Sequence, residues 1–515
     1  MSSLANSSAV GRGAIRSTAL IAFGTLTATM MQALDTTIAN VALPHMQGSL
    51  SASQEQVAWV LTSYIVAAAI ATTPTGYLAN RYGVKPVFLV AIAGFTIASM
   101  LCGIASSLSE IVFFRLLQGM FGAALVPLSQ TTLLDTYPPE KQGSAMAAWG
   151  MGVMIGPIIG PALGGWLTEN YSWRWVFYIN LPIGVAAFWA LKTALPDTKV
   201  RNNNPMDFTG FAFLSIAIAS LQLMLDRGQS LDWFQSKEIM LECFLAITAF
   251  YLFTSHTLTT DKPFISPELF KDRNLVGGLI LIAMLGIVLF STFALLPPFL
   301  QNLQGYSVVT AGVIMAPRGV GTMIAMQISG RIINRMDTRI PILAGMLLLA
   351  YSLHWMSTFS PDVGLMDIVL SGVIQGLGLG FIFVPLSAAT FSTLAPQYRG
   401  DGTALYSLLR NVGSSAGIAL AFAYQDYGTK MAHSVLVENI NPYNPAVIEY
   451  LNSSTGLLGI SSLMQIEGEI QRQAAVIGML GNFHYMAYGV MFAIPFLLLL
   501  RPGKADDSLE SAVMD

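Results

Sequence analysis

The sequence is poor in charged residues and in cysteine. Only 10% of its 515 residues are Asp, Glu, Lys or Arg, whereas 54% are hydrophobic. A soluble protein carries about 25% charged residues to keep its surface in water, so most of this chain is expected to face lipid. The net charge of −3 offers no basic surface for nucleic acid. Cys102 and Cys243 both lie in apolar runs, which argues against a disulfide framework and a thiolate metal site.

Motifs for ATP hydrolysis and for metalloprotease chemistry are also missing. The sequence has no Gly-x-x-x-x-Gly-Lys-Ser/Thr, no His-Glu-x-x-His and no cysteine pair with metal-ligand spacing. It also lacks a soluble segment large enough to host separate chemistry, so neither an enzyme nor a cofactor is expected. A chain of this kind that moves solutes must draw on an ion gradient.

Long apolar runs make up most of the chain. With about 20 residues for one crossing, the sequence predicts an all-α membrane protein with fourteen transmembrane helices, at residues 17–43, 56–79, 86–106, 109–134, 143–167, 174–194, 207–226, 237–257, 275–300, 308–333, 340–358, 365–393, 402–425 and 475–500. Most Lys and Arg residues fall on cytoplasmic segments if the N-terminus is inside. The positive-inside rule therefore predicts that both termini are cytoplasmic.

A weak internal repeat relates the two ends of the chain. GYLANRYGVK at 76–85 resembles GRIINRMDTR at 330–339 with an offset of 254, and LLQG at 116–119 resembles VIQG at 373–376 with an offset of 257. Further matches place Gly413 and Gly417 opposite Gly156 and Gly160. The matches pair spans that are eight helices apart, whereas duplication of a six-helix unit alone would pair spans six apart. Two helices must therefore be inserted between two units of six. Parallel repeats of this kind are the architecture of major facilitator transporters.

The repeat predicts three parts. They are an N-terminal six-helix bundle at 1–195, two inserted transmembrane helices at 196–262 and a C-terminal six-helix bundle at 263–515. The last part contains an external segment, 426–474, which is either a docking surface or a tolerated insertion.

Two ionisable residues are expected to meet inside the membrane. Asp35 is the only acid placed deep within a predicted span, and Arg115 lies at a comparable depth in the fourth span. Buried charges are costly, so such residues usually mark function. Asp35 is therefore a candidate for proton coupling. The alternatives are a permanent structural ion pair with Arg115, or a carboxylate satisfied by the hydroxyls of Thr36 and Thr37.

A run of glycine and proline lies in the fifth span. GPIIGPALGG occupies 156–165, and small residues at every fourth position put one smooth face on a helix. The residues of this motif are Gly152, Gly156, Pro157, Gly160, Pro161, Gly164 and Gly165. The face is interpreted as a close-packing surface, either static or involved in a rocking motion.

Five motifs together resemble one family. LDTTIANVALP at 34–44, GYLANRYGVK at 76–85, RLLQG at 115–119, GPIIGPALGG and WRWVFYINLPIG at 173–184 resemble the fourteen-helix drug:proton antiporters of the EmrB/QacA type in the major facilitator superfamily. The loop motif between helices 2 and 3 comprises Gly76, Asn80, Arg81, Gly83 and Lys85. It departs from the family, because Asn80 replaces an acid and Val84 replaces an arginine.

The resemblance implies a proton-coupled multidrug exporter of the bacterial inner membrane. Its partners would be hydrophobic small molecules, protons, the lipid bilayer, a periplasmic adaptor and an outer-membrane channel, with no nucleic acid. It also implies that helix 5 lies where the two halves meet. The alternatives are a dedicated exporter of one metabolite, such as a siderophore or amino acid, and a membrane enzyme or sensor that has lost transport.

Further residues are candidates for the substrate cavity. Arg318 and Arg410 are buried cations that either hold an anionic substrate or bond main-chain carbonyls. Soft apolar and amide side chains suit promiscuous binding. The candidates of this kind are Met31, Gln32, Gln118, Gln130, Phe293, Gln327, Phe381 and Tyr406.

Overall fold

The computed structural model describes residues 2–197, 205–333, 335–438, 440–441, 443–445, 447 and 459–501. All regular secondary structure in these ranges is helical. The N-terminal bundle consists of α1 (Ser2–Ser49), α2 (Gln54–Thr72), α3 (Thr75–Tyr82), α4 (Val84–Ile104), α5 (Leu108–Gly122), α6 (Leu125–Thr136), α7 (Pro139–Asn170), α8 (Trp175–Tyr178) and α9 (Asn180–Ala194).

Two helices follow before the second bundle begins. They are α10 (Phe208–Arg227) and α11 (Lys237–Thr259). The C-terminal bundle consists of α12 (Arg273–Pro298), α13 (Val308–Ile332), α14 (Arg339–Ser357), α15 (Leu365–Ser392), α16 (Arg399–Glu438) and α17 (Gly459–Ala493). A short π-helical turn, Phe299–Leu303, continues α12.

Local sequence signals mark several helix ends. Ser53 forms a capping box with Gln56, each side chain bonding the other residue's main-chain N–H at 3.2 and 3.0 Å. Ser107 and Ser307 cap α5 and α13 in a similar way. Between α3 and α4, Gly83 has a φ of 92°, a left-handed conformation that favours glycine. Glycine at this position therefore allows the loop motif to turn sharply between the two helices.

The packing repeats along the chain as the sequence offsets predict. In the N-terminal bundle α1 packs on α7 and α2 packs on α5; in the C-terminal bundle α12 packs on α16 and α13 packs on α15. The helix paired with α1 by the repeat is α12, and the helix paired with α2 is α13. The two bundles are therefore built from equivalent helix pairs.

The length and hydropathy of the described helices identify fewer crossings than the fourteen that the sequence predicts. Ten helices of the described residues are long and apolar enough to span a membrane, or eleven if α2 and α3, bent by 50° at Pro74, form one span. Helices α1, α13 and α16 coincide with other predicted spans but contain Asp35, Arg318 and Arg410, which lower their hydropathy. Fourteen crossings remain a prediction.

Most described residues of the segment 426–474, which is predicted to be external, are helical. Helix α16 continues to Glu438, and α17 begins at Gly459 rather than near 475; residues 448–458 lie outside the described part. The extension persists because the two helices hold each other. A Cβ on Gly428 would lie 3.0 Å from the Cα of Gly478, and His433 Nε2 lies 2.9 Å from Glu467 Oε1.

Candidate transport site

Asp35 and Arg115 meet in the interior of the N-terminal bundle, as their predicted depths suggest. Arg115 Nη1 lies 2.6 Å from Asp35 Oδ2. The two side chains are 0% and 1% exposed. Helix α1 brings the acid and α5 the arginine. A carboxylate and a guanidinium buried together pay a large desolvation cost, which only good geometry and further hydrogen bonds offset.

Two amides complete the surroundings of the carboxylate. Gln118 Nε2 donates to Asp35 Oδ1 at 2.8 Å, and Asn180 Nδ2 donates to the same oxygen at 3.1 Å. Asn180 is itself held by Ser99, whose hydroxyl lies 2.9 Å from the amide nitrogen. The hydroxyls of Thr36 and Thr37 donate to main-chain carbonyls instead. The alternative in which those hydroxyls satisfy Asp35 is therefore wrong.

Arg115 has several partners besides Asp35. Its Nε donates to the carbonyl of Val60 at 3.1 Å, and Nη1 donates to Gln118 Oε1 at 2.9 Å. Its Cζ lies 4.2 Å from the ring centre of Tyr64 and 5.7 Å from that of Phe177. These contacts hold the guanidinium without help from the carboxylate. The charge of Asp35 can therefore change while Arg115 keeps partners.

The glycine face of α7 packs on α1, next to Asp35. A Cβ on Gly156 would lie 2.5 Å from the carbonyl oxygen of Ala33, and one on Gly160 would meet the side chain of Thr37. Gly152 and Gly164 face Leu26 and Ile38 of the same helix. Thr37 also donates to the carbonyl of Gly156 at 3.0 Å. The expected backbone-to-backbone approach is present, and it positions the segment that carries Asp35.

The rest of α7 lies between the two bundles. Trp149 stacks on Phe383 of α15 with ring centres 5.6 Å apart, and Ile158 fills the space beside Gly319 of α13. Helix α7 corresponds to the predicted fifth transmembrane helix. It thus lies at the contact between the halves, as the resemblance implied. The glycine face does not make that contact, because it is used within the N-terminal bundle. Pro161 is half-buried, whereas the side chain of Pro157 lies outside those described.

The bundles also touch at the end that carries the loop motif, which is predicted to be cytoplasmic. We call this contact the loop-motif seam. Gly76 of α3 lies against the start of α16, Thr131 Oγ1 lies 2.8 Å from Thr403 Oγ1, and Arg399 Nη1 lies 2.9 Å from Asp135 Oδ1. The seam is closed in this structure.

Among the residues of the loop motif, Gly76 contributes more to this seam than the charged residues do. Gly76 is buried there, Asn80 and Arg81 are half-buried, and Lys85 Nζ lies 3.1 Å from the exposed carboxylate of Asp197. An exposed pair of this kind contributes little. The close approach at Gly76 is thus the feature of the motif with the clearest structural consequence.

Gly76→Ala is expected to favour the conformation in which the seam is open. A Cβ at this position would lie 2.6 Å from the main-chain nitrogen of Asp401 and 2.7 Å from the carbonyl carbon of Gly400, and backbone atoms cannot step aside. The measurement uses protein with Thr403→Cys in inverted vesicles and follows how fast a membrane-impermeant maleimide modifies the introduced cysteine. Adding Gly76→Ala is expected to raise this rate several-fold. Gly165→Ala is the control, because its Cβ would be in ordinary contact at 3.8 Å; equal rates in both would contradict the proposal.

The remaining cavity candidates fall into different environments. Met31, Gln118, Gln130 and Tyr406 are buried, Gln32 and Phe381 are half-buried, and Gln327 is exposed. Gln32 Nε2 lies 3.4 Å from the hydroxyl of Tyr64. Tyr406 is hydrogen-bonded to Ser387 at 3.0 Å. Arg318 and Arg410 are 3% and 9% exposed. Hydrogen bonds and ring contacts thus link Asp35, Arg115 and Gln118 to Gln32 through Tyr64, while Arg318 lies against Phe293.

Sequence reasoning missed three groups of this site. They are Asn180, Ser99 and Tyr64, which orient the carboxylate or support the arginine. Asn180 lies within the motif WRWVFYINLPIG, so that motif contained the signal. Ser99 and Tyr64 occur in ordinary apolar helices, and only the packing of α2 and α4 against α5 brings them in.

Two packed halves built from equivalent helix pairs, with an ion pair buried in the first half, are typical of membrane transporters. The chain belongs to the major facilitator superfamily, whose family model matches residues 25–418. It is accordingly a transporter and a multi-pass protein of the bacterial inner membrane.

Two curated relatives resemble the chain over nearly its whole length. The multidrug export protein EmrB of Escherichia coli strain K12 is 37% identical over 478 residues, which are 92% of each chain. The fatty acid resistance protein FarB of Neisseria gonorrhoeae is 35% identical over 92% of this chain and 94% of its own.

Solved structures resemble the chain in fold. The proton:xylose symporter XylE superposes with a TM-score of 0.64 at 12% identity, covering 98% of this chain and 99% of that one. The human organic anion transporter MFSD10 superposes with a TM-score of 0.60 at 13% identity, covering 94% and 99%. At such identities the likeness establishes the major facilitator fold alone.

Proposed function

We propose that this chain is a multidrug exporter that couples the outward movement of hydrophobic compounds to the entry of protons, by alternating access. The family and the similarity to multidrug export proteins support the export of drugs. The observation that carries the coupling is the fully buried pair of Asp35 and Arg115.

The hydrogen bonds around this pair suit a residue that gains and loses a proton. When Asp35 is neutral, Arg115 still has the carbonyl of Val60, the amide of Gln118 and the ring of Tyr64. Asn180 Oδ1 is buried and has no partner among the described residues. After rotation of its amide group, Asn180 Oδ1 can accept a hydrogen bond from the carboxyl O–H of a neutral Asp35. A permanent structural ion pair would not need these additional hydrogen-bond partners.

Helix α7 offers a route from the proton site to the contact between bundles. Gly156 touches α1 beside Asp35, and Ile158, two residues on, touches Gly319 of α13. A shift of α1 on protonation is therefore passed to α13 through one rigid helix. Substrate enters at the predicted cytoplasmic side or inner leaflet, and protonation of Asp35 promotes its release outside.

A single proton supplies enough energy for this task. Entry down about 100 mV yields roughly 2.3 kcal/mol, and about one pH unit adds roughly 1.4 kcal/mol. At about 1.4 kcal/mol per decade, the sum sustains an outward gradient of several hundredfold for a neutral solute.

The proposal includes the predicted architecture. Fourteen crossings with both termini in the cytoplasm would form two six-helix bundles, 1–195 and 263–515, joined by the inserted pair at 196–262. The similar packing of equivalent helix pairs supports this division.

The partners are proposed from the similarity and from one surface. A periplasmic adaptor and an outer-membrane channel would complete a path across the envelope. The extension of α16 beyond residue 425 supports docking, because Tyr427, Met431 and Val435 are four residues apart and more than half exposed. Weak acids are proposed as substrates besides neutral drugs, in line with a relative that confers resistance to fatty acids.

Transport by purified protein in liposomes tests the function. The vesicles hold an internal pH dye and an imposed proton gradient, and a panel of hydrophobic cations, neutral drugs and weak acids is added. Protein-dependent proton movement with many compounds is expected. Vesicles without protein are needed as the control, because an uncoupler moves protons by itself. Proton movement with one compound alone would favour the dedicated exporter over the multidrug exporter. Proton movement with none of the compounds would contradict both functions.

A disulfide across the seam is expected to stop transport reversibly. The hydroxyls of Thr131 and Thr403 are 2.8 Å apart and belong to different bundles, so Thr131→Cys and Thr403→Cys together place two thiols in reach. Oxidation should lower transport at least tenfold and reduction should restore it, with each single variant as the control. Full transport by the oxidised, cross-linked protein would rule out opening of this seam.

A further inference from the structure

Arg318 is a buried cation with no counter-charge among the residues that the structure describes. Its side chain on α13 is 3% exposed, and all three guanidinium nitrogens lack a hydrogen-bond partner among the described residues. Its Cζ lies 4.2 Å from the ring centre of Phe293. A ring face attracts the cation but accepts none of its in-plane N–H groups. A buried charge left in this way is strongly destabilising, so it calls for an explanation.

The internal repeat shows what is missing beside it. Gln118 and Gln375 are 257 residues apart and make equivalent bonds: Gln118 Nε2 donates to Asp35, and Gln375 Nε2 donates to Thr292 Oγ1 at 3.3 Å. Asp35 and Thr292 are also 257 residues apart. The C-terminal bundle thus has a neutral hydroxyl where the N-terminal bundle has a carboxylate.

The second bundle also has a buried arginine, but this residue lies on α13, the counterpart of α2, and not on α15, the counterpart of α5. Arg115 corresponds to Gly372 at the same offset, and Arg318 corresponds to Tyr64, whose ring lies against Arg115, at the offset of 254 for that helix pair. A Cβ on Gly372 would lie 3.6 Å from the Cβ of Arg318. The arginine therefore occupies space vacated by its counterpart. The C-terminal bundle has the cation of the pair without the acid.

We propose that Arg318 binds the anionic group, such as a carboxylate, of an exported organic acid, with Phe293 against the apolar part next to that group. This inference rests on the proposed export function. A planar guanidinium with free N–H groups matches a carboxylate in two parallel hydrogen bonds. Phe293 is only half-buried and supplies an apolar surface. Gly319, the next residue, meets Ile158 of α7, so the bound charge lies beside the contact between bundles.

Binding of a matched acid and ester tests the assignment. The probes are 11-(dansylamino)undecanoate and its methyl ester, titrated by fluorescence against the purified full-length protein in detergent. Arg318→Gln is expected to raise the Kd of the acid at least tenfold and that of the ester less than twofold, and Arg318→Lys should fall between. Equal weakening of acid and ester, or no binding of the acid to the unaltered protein, would overturn the proposal.

Stability without ligand separates this role from a structural one. Arg318→Met removes an uncompensated charge, so Tm is expected to stay level or rise, whereas Arg115→Met leaves Asp35 unpaired and should lower Tm. A fall with Arg318→Met as large as that with Arg115→Met would assign Arg318 to the packing of the bundle and overturn the proposal.

Two further arms identify the source of the anion and separate the proposals. Displacement of the acid by dioleoyl phosphatidylglycerol at equal concentration would assign the site to a lipid headgroup and overturn its assignment to substrate. The binding measurement requires no proton gradient. Selective binding of the acid with no transport in liposomes would therefore contradict the export function alone, while transport with no selectivity at Arg318 would contradict this inference alone.

Discussion

Asp35→Asn is expected to reduce substrate-driven proton movement in liposomes to the level of protein-free vesicles. Asparagine has nearly the same shape as aspartate, so Gln118 and Asn180 keep a neighbour, but it has no group that titrates. The substrate for this measurement should be a neutral or permanently charged compound, which carries no protons itself. Binding of that compound in detergent should persist, because the change removes coupling and leaves the apolar surfaces intact.

The same variant leaves Arg115 without its counter-charge, which has a separate effect on stability. Removing one partner of a buried pair costs about 3–5 kcal/mol, and the other partners of Arg115 should keep the loss toward the lower end. Asp35→Asn combined with Arg115→Gln is expected to recover part of the Tm without recovering proton movement. This double variant distinguishes lost coupling from lost fold.

A second acid within a predicted span is a matched control for Asp35. Asp226 of α10 is hydrogen-bonded to Thr62 and lies outside the pair described above. Asp226→Asn should leave substrate-driven proton movement largely unchanged, because Asp226 lies outside the proposed proton site and an asparagine Oδ1 can still accept the hydrogen bond from Thr62. Undiminished movement in Asp35→Asn would place the proton site elsewhere, and an equal loss in both variants would show a general effect of neutralising acids.

Gly156→Ala is expected to lower both Tm and transport severely, although it adds one methyl group. Its Cβ would lie 2.5 Å from the carbonyl oxygen of Ala33 and 2.7 Å from the main-chain nitrogen of Leu34. Both are backbone atoms of α1, so α7 and α1 must move apart, at a cost of about 1–3 kcal/mol or more. The separation displaces Asp35 from Asn180 and Gln118. A proton site held to fractions of an ångström cannot absorb that shift.

Gly165→Ala is the matched control on the same helix. Its Cβ would have only Val41 nearby, at 3.8 Å, so Tm and transport should change little and α-helix propensity even favours alanine. The measurements are Tm in detergent and initial transport rate in liposomes for both variants. If Gly156→Ala behaved like Gly165→Ala, the close approach of α7 to α1 would not be what holds the proton site.

Much of the architecture was accessible to sequence reasoning because membrane helices obey simple rules. Apolar runs, the loop motif and the offsets of 254 and 257 predicted two equivalent bundles with two helices between them, and this division stays a prediction. Spans were predicted at helices α1, α13 and α16 although Asp35, Arg318 and Arg410 lower their hydropathy, whereas the end of α16 was placed too early. There, mutual packing of two helices extends them beyond the predicted spans.

The site shows the same division. Asp35 and Arg115 were predicted from their cost inside a membrane, and they do meet. The glycine face of α7 was predicted from the four-residue spacing. The helix that packs on it could not be predicted, because periodicity shows that a face exists and not which helix covers it. That partner is α1, within one bundle.

From the sequence alone it could be predicted that this is a helical transporter of the major facilitator superfamily, where its repeat lies and which charges are buried. This was possible because hydropathy, motif spacing and self-similarity are properties of a linear chain. The tertiary structure alone decided that Asn180 and Ser99 complete the carboxylate site and that Thr292 replaces the acid beside Gln375. It also showed that Arg318 is buried with no counter-charge in the described part of the chain. Those facts depend on distances between helices far apart in sequence, and a hydrogen bond is gained or lost within about half an ångström.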